Sequence, residues 1–398
     1  MAKSLGDDQL TELIECLQFV ADPRVKGRSK HLLIDVLVLS VCAILCGAEG
    51  VTEIQLFGEQ KEEWLKRHLS LSSGIPSHDT IGRILSLVDQ NQFEIAFTHW
   101  VQDALVKKRE INTISLDGKS TNGTERGFNA KARPLHMVSA YSHELGLTLT
   151  QSESQSSGMA EGDAAIACLK VLDLKDVTVL ADAGLASKKV VEQITGQNGN
   201  YLVPVKGNQR LSMQEIEREF SSKKISKSQT LDLAHGREER RRCRVLPAGQ
   251  LSERFLAAWP KAKTVFEMTR TRIREDKRYT LKVKQADGSF KYEKNEGDMT
   301  EKTEVTFYVT SLKLTPKQAM AEARKHWGIE NKVHWILDVA FSEDEWTVRS
   351  KKLARNLSLI RKIALNLIRN SKTKGSVKSR MKKAGWSTDF LETLLFGS

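Results

Sequence analysis

The sequence contains no apolar stretch that is long enough to cross a lipid bilayer. The longest apolar run, residues 32–46, is too short and includes Asp35, so it predicts a buried helix and not a membrane span. The first eight residues lack the basic-then-apolar order of a secretory signal peptide. We therefore expect a soluble, cytoplasmic protein.

Cysteine is scarce, and its pattern excludes most cysteine-based sites. The five cysteines are Cys16, Cys42, Cys46, Cys168 and Cys243. Cys42 and Cys46 are spaced to share one face of a helix, so a metal pair is conceivable. No second Cys or His pair lies nearby at the spacing that zinc requires. Buried free thiols in a reducing compartment are the favoured interpretation.

Aromatic residues are also few, at 6%, but the charged fraction of 28% is that of an ordinary folded protein. A chain of 398 residues exceeds one small core, so we expect two or three structural units. Acidic residues are outnumbered, because 62 Lys and Arg stand against 50 Asp and Glu, for a net charge of +12. This excess of positive charge predicts a polyanionic partner. Nucleic acid is favoured, and an anionic membrane surface is the alternative.

Hydrophobic periodicity changes along the chain and predicts a mixed α/β fold. Residues 1–110 show helical spacing, strands and helices alternate over 111–209, and strand-like basic sequence follows. Helical spacing returns towards the C-terminus. The predicted segments are a helical region 1–110, an α/β region 111–209, a β-rich insertion 210–312, a helical region 313–370 and a basic tail 371–398.

Three carboxylates stand where phosphoryl-transfer chemistry would place them. Asp117 and Asp182 each follow a short apolar strand, and Glu330 lies in a predicted helix. Carboxylates that converge from separate segments can hold two magnesium ions, which prefer oxygen ligands. Spacing alone is weak evidence in a chain with 50 acidic residues. The alternative is that each of the three caps a turn or a helix.

Several longer motifs resemble those of a known family. They are Asp-Pro-Arg at 22–24, Gly-Ile-Pro-Ser-His-Asp-Thr at 74–80, Ile-Ser-Leu-Asp-Gly-Lys at 114–119, Val-Thr-Val-Leu-Ala-Asp-Ala at 177–183, Tyr-Leu-Val-Pro-Val-Lys-Gly-Asn-Gln at 201–209, His-Gly-Arg at 235–237, and His-Trp-Gly-Ile-Glu-Asn at 326–331 with the following residues to 344. Over nearly its whole length the chain resembles the ISAs1 family of insertion-sequence transposases, within the IS4-like DDE group that includes the H-repeat-associated proteins.

The resemblance implies an RNase H-like catalytic domain with a β-rich insertion, preceded by a helical N-terminal domain and followed by a basic helical C-terminus. It implies a catalytic and metal-binding triad of Asp117, Asp182 and Glu330 that holds two Mg²⁺ ions, for which Mn²⁺ can substitute. The implied partners are double-stranded DNA, as transposon ends and target, and a second copy of the chain when assembled on DNA. The implied location is the nucleoid.

The sequence departs from the family pattern at two places. Many relatives have a Lys-Ser-Asn-Glu segment before the second aspartate, and within residues 156–163 only Glu161 corresponds to it. Relatives also tend to have His or Gln shortly after that aspartate, where this chain has Gly-Leu-Ala-Ser at 184–187. A catalytically weakened or domesticated DNA-binding protein and a simple metal-dependent nuclease are therefore alternatives.

Basic and aromatic residues around the triad are candidate DNA contacts. For each of these residues an ordinary structural role is the alternative to a DNA contact. Such a role is that of a solvated lysine, a turn residue, a packed histidine or tryptophan, or a residue on the solvated face of a helix. Trp327 and Trp335 are candidates for stacking on a base, although core packing is expected for at least one of them. The predicted DNA-binding residues are Lys119, Lys206, Asn208, Arg324, His326, Trp327, His334, Arg355, Arg361 and Lys362.

Overall fold

The computed structural model describes most of the chain. The described residues are 9–25, 27, 29–106, 109–121, 124, 134–154, 158–222, 225, 227–234, 237–275, 280–285, 287, 289–294, 299–345 and 350–396. Parts of two motifs named above lie outside them, namely residues 156 and 157 of the departing segment and residues 235 and 236 of the His-Gly-Arg motif. In the described part, no helix combines the length and apolarity that a membrane span requires.

The chain divides into two compact units. The first unit comprises Met1–Leu180, Gly196–Gly199 and His326–Ser398, and the second comprises Ala181–Thr195 and Asn200–Lys325. These units do not follow the segment boundaries expected from the sequence, because the N-terminal helices, the first strands and the C-terminal helices belong to one compact body. The predicted break in pattern near residue 210 does lie inside the second unit.

Helices make up most of the first unit. In chain order they are α1 (Gln9–Gln18), α2 (Leu33–Leu45), α3 (Val51–Gln60), α4 (Glu62–Leu65), α5 (His78–Leu87), α6 (Gln90–Trp100) with a π-helical end (Val101–Val106), α7 (Gly158–Lys170), and the C-terminal helices described below. The apolar run predicted to be a buried helix is α2, which is buried on every side and ends before Gly47, where φ is +102°. The Ser77 hydroxyl accepts from the Thr80 amide and caps the start of α5.

Strands of the first unit form an antiparallel meander with one further strand beside it. The strands are β1 (Thr113–Thr121), β2 (Leu135–Ser142), β3 (Thr148–Ser154) and β4 (Thr178–Ala181), in the spatial order β3-β2-β1-β4. In the β1–β2 register Asp117 lies opposite Ser139 and Ser120 lies opposite His136. Since side chains alternate along a strand, Ser115, Asp117 and Lys119 share one face of β1, and Gly118 and Ser120 lie on the other.

The second unit is rich in β-structure, as the sequence predicts for its middle part. Its elements are α8 (Lys188–Gly196), β5 (Asn200–Val205), α9 (Arg210–Ser222), β6 (Lys227–Ala234), β7 (Arg237–Pro247), α10 (Glu253–Ala258), β8 (Thr264–Glu275), β9 (Thr280–Lys284), β10 (Phe290–Lys294), β11 (Met299–Thr310) and α11 (Pro316–Lys325). Its strands have the order β5-β11-β8-β7-β6, and β9 pairs with β10 as a separate hairpin.

The C-terminal part of the first unit is helical. It contains α12 (Trp327–Ile329), a π-helical segment (Glu330–His334), α13 (Trp335–Phe341), α14 (Lys351–Asn370), α15 (Val377–Trp386) and α16 (Thr388–Phe396). Helix α14 begins at Ser350, whose hydroxyl accepts from the Leu353 amide. It packs against α2, α5 and α6, and its residues from Ala354 to Ile368 are buried.

The burial of α14 contradicts one prediction. The sequence predicts DNA contacts for Arg355, Arg361 and Lys362, but only 8%, 2% and 3% of their respective surfaces are exposed. Arg355 donates to the Glu94 carboxylate at 2.7 Å and to that of Glu153 at 2.9 Å. Arg361 lies 3.9 Å from the Glu343 carboxylate, and Lys362 donates to the Gln151 side-chain oxygen. Such partners are expected, because an unpaired buried charge is costly. The helix predicted in this region exists, but these three basic residues face inward.

Candidate active site

Asp117 lies mostly buried on β1, in the first unit. Its side chain is 13% exposed, and its Oδ1 accepts a hydrogen bond from the Gly118 amide at 3.0 Å. Its Oδ2 is 3.3 Å from Nδ1 of His334, the last residue of the π-helical segment. Two contacts from different elements therefore fix the orientation of this carboxylate.

Glu330 lies at the start of the same π-helical segment, and its side chain is exposed. Helix α12, which directly precedes it, packs against β1. The sequence predicts one continuous helix with His326, Glu330 and His334 along one face. The structure instead has a turn at His326 and a wider π turn from Glu330 to His334, so this face is not that of a regular α-helix.

The close approach of α12 depends on a glycine. A Cβ built on Gly328 would lie 2.6 Å from Cε1 of His143, so no larger residue fits without a shift. The ring of His143 is held from the other side, where its Nε2 is 2.7 Å from Oγ of Ser115. Ser115 and Asp117 are on the same face of β1, so this contact sets how α12 meets the strand that holds Asp117.

Lys119 is the third residue on this face of β1, and its charge is fully engaged. Its Nζ lies 2.7 Å from Asp338 Oδ1, 3.2 Å from Glu343 Oε2 and 3.0 Å from Asp344 Oδ1. The ammonium group donates a hydrogen bond to Asp344 and forms ion pairs with Asp338 and Glu343. In this structure the charge of Lys119 is therefore paired with carboxylates of the same chain, and its predicted DNA contact stays a prediction. Its role is to tie the end of α13 to β1.

Glu343 is the most buried member of this ion cluster, at 2% exposed. Burial alone would raise the pKa of its carboxyl, but the positive charges of Lys119, Arg361 and Lys362 outweigh burial and hold the pKa below its ordinary value. The same carboxylates raise the pKa of Lys119, against the effect of burial. Both groups are thus charged at neutral pH, which keeps the ion cluster intact.

A second polar cluster lies on the opposite face of β1. His136 shares hydrogen bonds through Nδ1 with Ser120 Oγ at 2.8 Å and through Nε2 with Glu161 Oε1 at 2.7 Å. A Cβ on Gly118 would overlap both His136 and Glu161, so this cluster presses directly on the backbone beside Asp117. Glu161 is the one residue of the departing segment that corresponds to the family pattern, and the structure gives it a defined partner.

Asp182 belongs to the second unit and directly follows β4 along the chain. Its Oδ1 accepts from the Leu185 amide at 3.0 Å, and its carbonyl accepts from the Ala186 amide at 3.1 Å. The Asn208 side chain donates to the Ala183 carbonyl at 2.9 Å, and the Gln209 side chain donates to that of Ala186. The turn after Asp182 is therefore held by the residues that follow β5.

The remaining predicted residues differ in exposure. Lys206 and Asn208 are exposed after β5, and Arg324 is exposed at the end of α11, all in the second unit. In the first unit, Trp327 is 51% exposed and His326 is half-buried. Trp335 is 60% exposed, so neither tryptophan is a core residue.

The metal-binding capacity of the candidate site depends on the grouping of its donors. Within the described ranges, no three side chains of His, Cys, Asp or Glu are grouped in a way that could hold a metal ion. The donor types themselves suit magnesium, since Asp117 and Glu330 offer carboxylate oxygens. Nε2 of His334 is buried and has no hydrogen-bond partner among the described residues.

Two family descriptions match the chain in succession. The description "DDE_Tnp_1-associated" matches residues 14–101, and "Transposase DDE domain" matches residues 108–367. The chain belongs to the DDE transposase family. This family assignment covers β1 to β4, the second unit and the helices from α12 to most of α14.

Relatives of this DDE transposase match it from end to end. It is 32% identical to the "Putative transposase YncI" of Escherichia coli O157:H7, over 97% of this chain and 95% of the relative. It is 31% identical to the "H repeat-associated putative transposase YhhI" of Escherichia coli strain K12, over 98% of this chain and 99% of the relative. A solved piggyBac transposase synaptic complex with hairpin DNA aligns at a TM-score of 0.43 with 7% identity, over 98% of this chain and 81% of that one.

Sequence reasoning missed several residues that surround Asp117 in this transposase. His136 and His143 lie on β2 and the turn after it, where they read as ordinary strand and turn residues. The signal in the sequence that could have indicated them is that both are polar residues near the strand that contains Asp117. Asp338, Glu343 and Asp344 belong to the family motif at 326–344, but nothing in that motif indicates their ion cluster with Lys119.

Proposed function

We propose that this DDE transposase, as a member of the ISAs1 group, cleaves the ends of an insertion sequence and joins them to target DNA. The observation that supports the proposal best is the setting of Asp117. This carboxylate is largely buried on β1, is held by His334, and faces the helical segment that contains Glu330. In this proposal β1 to β4 form the RNase H-like core, and the strands of the second unit form its insertion.

Asp117, Asp182 and Glu330 are proposed to hold two Mg²⁺ ions, which Mn²⁺ can replace. Such ions activate the attacking oxygen and stabilise the leaving oxygen of a phosphodiester. The residues around the triad act on its geometry. His334 orients Asp117, the Gly328–His143 contact sets the approach of α12, and the cluster of Lys119 with Asp338 fixes α13.

The proposed chemistry has two steps with the same in-line geometry. Water first attacks a phosphodiester at the transposon end, which leaves a 3′-hydroxyl on one fragment and a 5′-phosphate on the other. That 3′-hydroxyl then attacks a phosphodiester of the target and releases a target 3′-hydroxyl as the leaving group. Because two ends must be joined together, we propose that the chain acts as a homodimer on double-stranded DNA, at the nucleoid.

One assay separates this proposal from its alternatives. Donor-end DNA is incubated with the protein, Mg²⁺ and a plasmid target, and the products are resolved by size. A transposase gives joined products, a simple nuclease gives nicks only, and a weakened DNA-binding protein gives a complex without cleavage. Asp117→Asn should abolish joining, whereas Asp79→Asn, at a carboxylate 91% exposed on α5, should not. Full joining by Asp117→Asn would refute the proposed mechanism.

A further inference from the structure

A cleft in the second unit lies beside the turn that follows Asp182. Its volume is about 580 Å³, and it is lined by residues at the start of α8, by the segment leading into α9, and by α10. Its wall includes Ala186, whose carbonyl accepts from Gln209, and Asn208, which donates to the carbonyl of Ala183. The cleft and the turn of Asp182 are therefore parts of one hydrogen-bonded structure.

Three cations line this cleft, from three different helices. They are Lys188 at the start of α8, Arg210 at the start of α9 and Arg254 on α10. Arg210 and Arg254 are exposed, and neither forms an ion pair with any residue that the structure describes. Lys188 has only a long, exposed contact of 3.7 Å with Glu192, which contributes little. These charges are accordingly available to a ligand, in contrast to the buried cations of α14.

The only anionic side chain in the described lining is already occupied. Glu215 accepts from the Ser252 amide at 2.6 Å through Oε1 and from the Ser252 hydroxyl at 2.9 Å through Oε2. It positions the start of α10, which contains Arg254. The floor of the cleft is rigid and apolar, since Phe255 and Trp259 are 2% and 3% exposed and the Trp259 indole donates to Ser212.

We infer that this cleft binds the sugar-phosphate backbone of a DNA strand next to the segment that contains Asp182. The inference rests on the proposed function and adds to it a binding site formed by Lys188, Arg210 and Arg254. Three exposed cations from separate helices suit an extended row of phosphates better than one compact anion, and the cleft is large enough for more than one such group. Their side chains contact phosphates and not base edges, so the site is indifferent to sequence.

The test uses the full chain in buffer without divalent metal, so that no DNA is cleaved. Anisotropy of a labelled duplex gives the dissociation constant over a range of salt concentrations. The cleft variant combines Lys188→Gln, Arg210→Gln and Arg254→Gln. The control variant combines Lys263→Gln, Lys313→Gln and Lys317→Gln, so it removes the same charge from exposed positions elsewhere in the second unit. We expect the cleft variant to bind at least about tenfold more weakly than this control. The slope of the logarithm of the association constant against the logarithm of the salt concentration is negative. Its magnitude should fall by about one for each phosphate that the variant no longer binds.

The outcomes are distinct. If both triple variants bind DNA equally, with equal salt slopes, the inference is overturned and the proposed function stands. If the wild-type chain binds no DNA, both fail. If ³¹P NMR shows that the cleft takes up inorganic phosphate but the cleft variant keeps its DNA affinity, the site binds free phosphate and the inference is wrong. The single change Arg254→Gln, with thermal unfolding as a folding check, gives the same readout should the triple variant not fold.

Discussion

Gly328 and His143 are in direct contact, with the backbone of α12 lying against the imidazole ring. A methyl group on Gly328 would be 2.6 Å from Cε1 and 2.9 Å from Nδ1 of that ring. Substitution by alanine must therefore displace the ring, the helix or both. Because His143 is also bound to Ser115 on β1, the displacement would extend to the strand of Asp117.

We predict that Gly328→Ala destabilises the protein by about 1–3 kcal/mol, as overpacking does in other proteins. The measurement is the free energy of unfolding from urea titration. Gly196→Ala is the control, since nothing lies within 4 Å of a Cβ at that position. The double change Gly328→Ala, His143→Ala should recover part of the loss. Equal stability of Gly328→Ala and Gly196→Ala would show that α12 is free to move.

Replacement of Lys119 by methionine should destabilise the protein in a pH-dependent way. The change leaves three carboxylates together, one of them buried Glu343, and we expect a loss of about 3–5 kcal/mol near neutral pH. In the wild type, the pKa of Glu343 is lowered, so its contribution to stability is present above the ordinary carboxyl pKa and is lost as pH falls through the lowered value.

In Lys119→Met the largest opposing charge is gone, and burial should shift the pKa of Glu343 upward. The variant's deficit should therefore shrink as pH falls through this raised pKa, because Glu343 becomes neutral in the variant while it is still charged in the wild type. Urea unfolding of both proteins across this range measures the difference. Lys332→Met, at an exposed position of the π-helical segment, is the control. A deficit that does not change with pH would exclude Glu343 as the group concerned.

His334 should affect the rate of cleavage more than the binding of DNA. Its Nδ1 lies 3.3 Å from Asp117, and loss of a residue that orients a metal ligand typically costs about 10–100-fold. We predict this loss for His334→Leu in the end-cleavage rate, with the dissociation constant for DNA little changed. His334→Asn, whose polar amide can keep a contact with Asp117, should retain more activity. Equal rates for the leucine and asparagine variants would argue against an orienting contact between residue 334 and Asp117.

Arg355→Met should lower stability without altering the salt dependence of DNA binding. Burial raises the pKa of Glu94, which Arg355 partly offsets, so the variant leaves a poorly compensated buried carboxyl. We expect a loss of about 3–5 kcal/mol in the free energy of unfolding. Lys351→Met, at an exposed position on the same helix, should have almost no effect on stability. A reduced salt slope for folded Arg355→Met would show that this residue does contact DNA.

Local patterns are enough to predict much of the fold. The buried helix α2 follows from its apolar run, and the change from helices to strands near residue 111 follows from the change in hydrophobic periodicity. The position of Glu330 in a helical segment is also predictable, but Asp117 lies inside β1 and not directly after a strand as predicted, because β1 extends to Thr121. The family's identity comes from longer motifs, since acidic residues are too common for their spacing to be decisive.

The wrong predictions concern partners that are distant in sequence. A run of basic residues does not reveal which face of α14 is buried, and the carboxylates that neutralise Arg355 come from α6 and β3. Nothing local shows that Asp338 and Glu343 reach Lys119. The compact units are not predictable either, because their boundaries follow tertiary contacts and not changes in composition.

The π-helical segment from Glu330 to His334 makes this helix tolerant of one change in length. A π turn accommodates an extra residue relative to an α turn, so deletion of exposed Asn331 would allow a regular helix to form. The side chains beyond the deletion would keep almost the same angular positions, because the regular turn lacks only the residue that the π turn had accommodated. A deletion in the regular helix α13 has no such compensation and would rotate the following side chains by about 100°, so that Asp338 would turn away from Lys119.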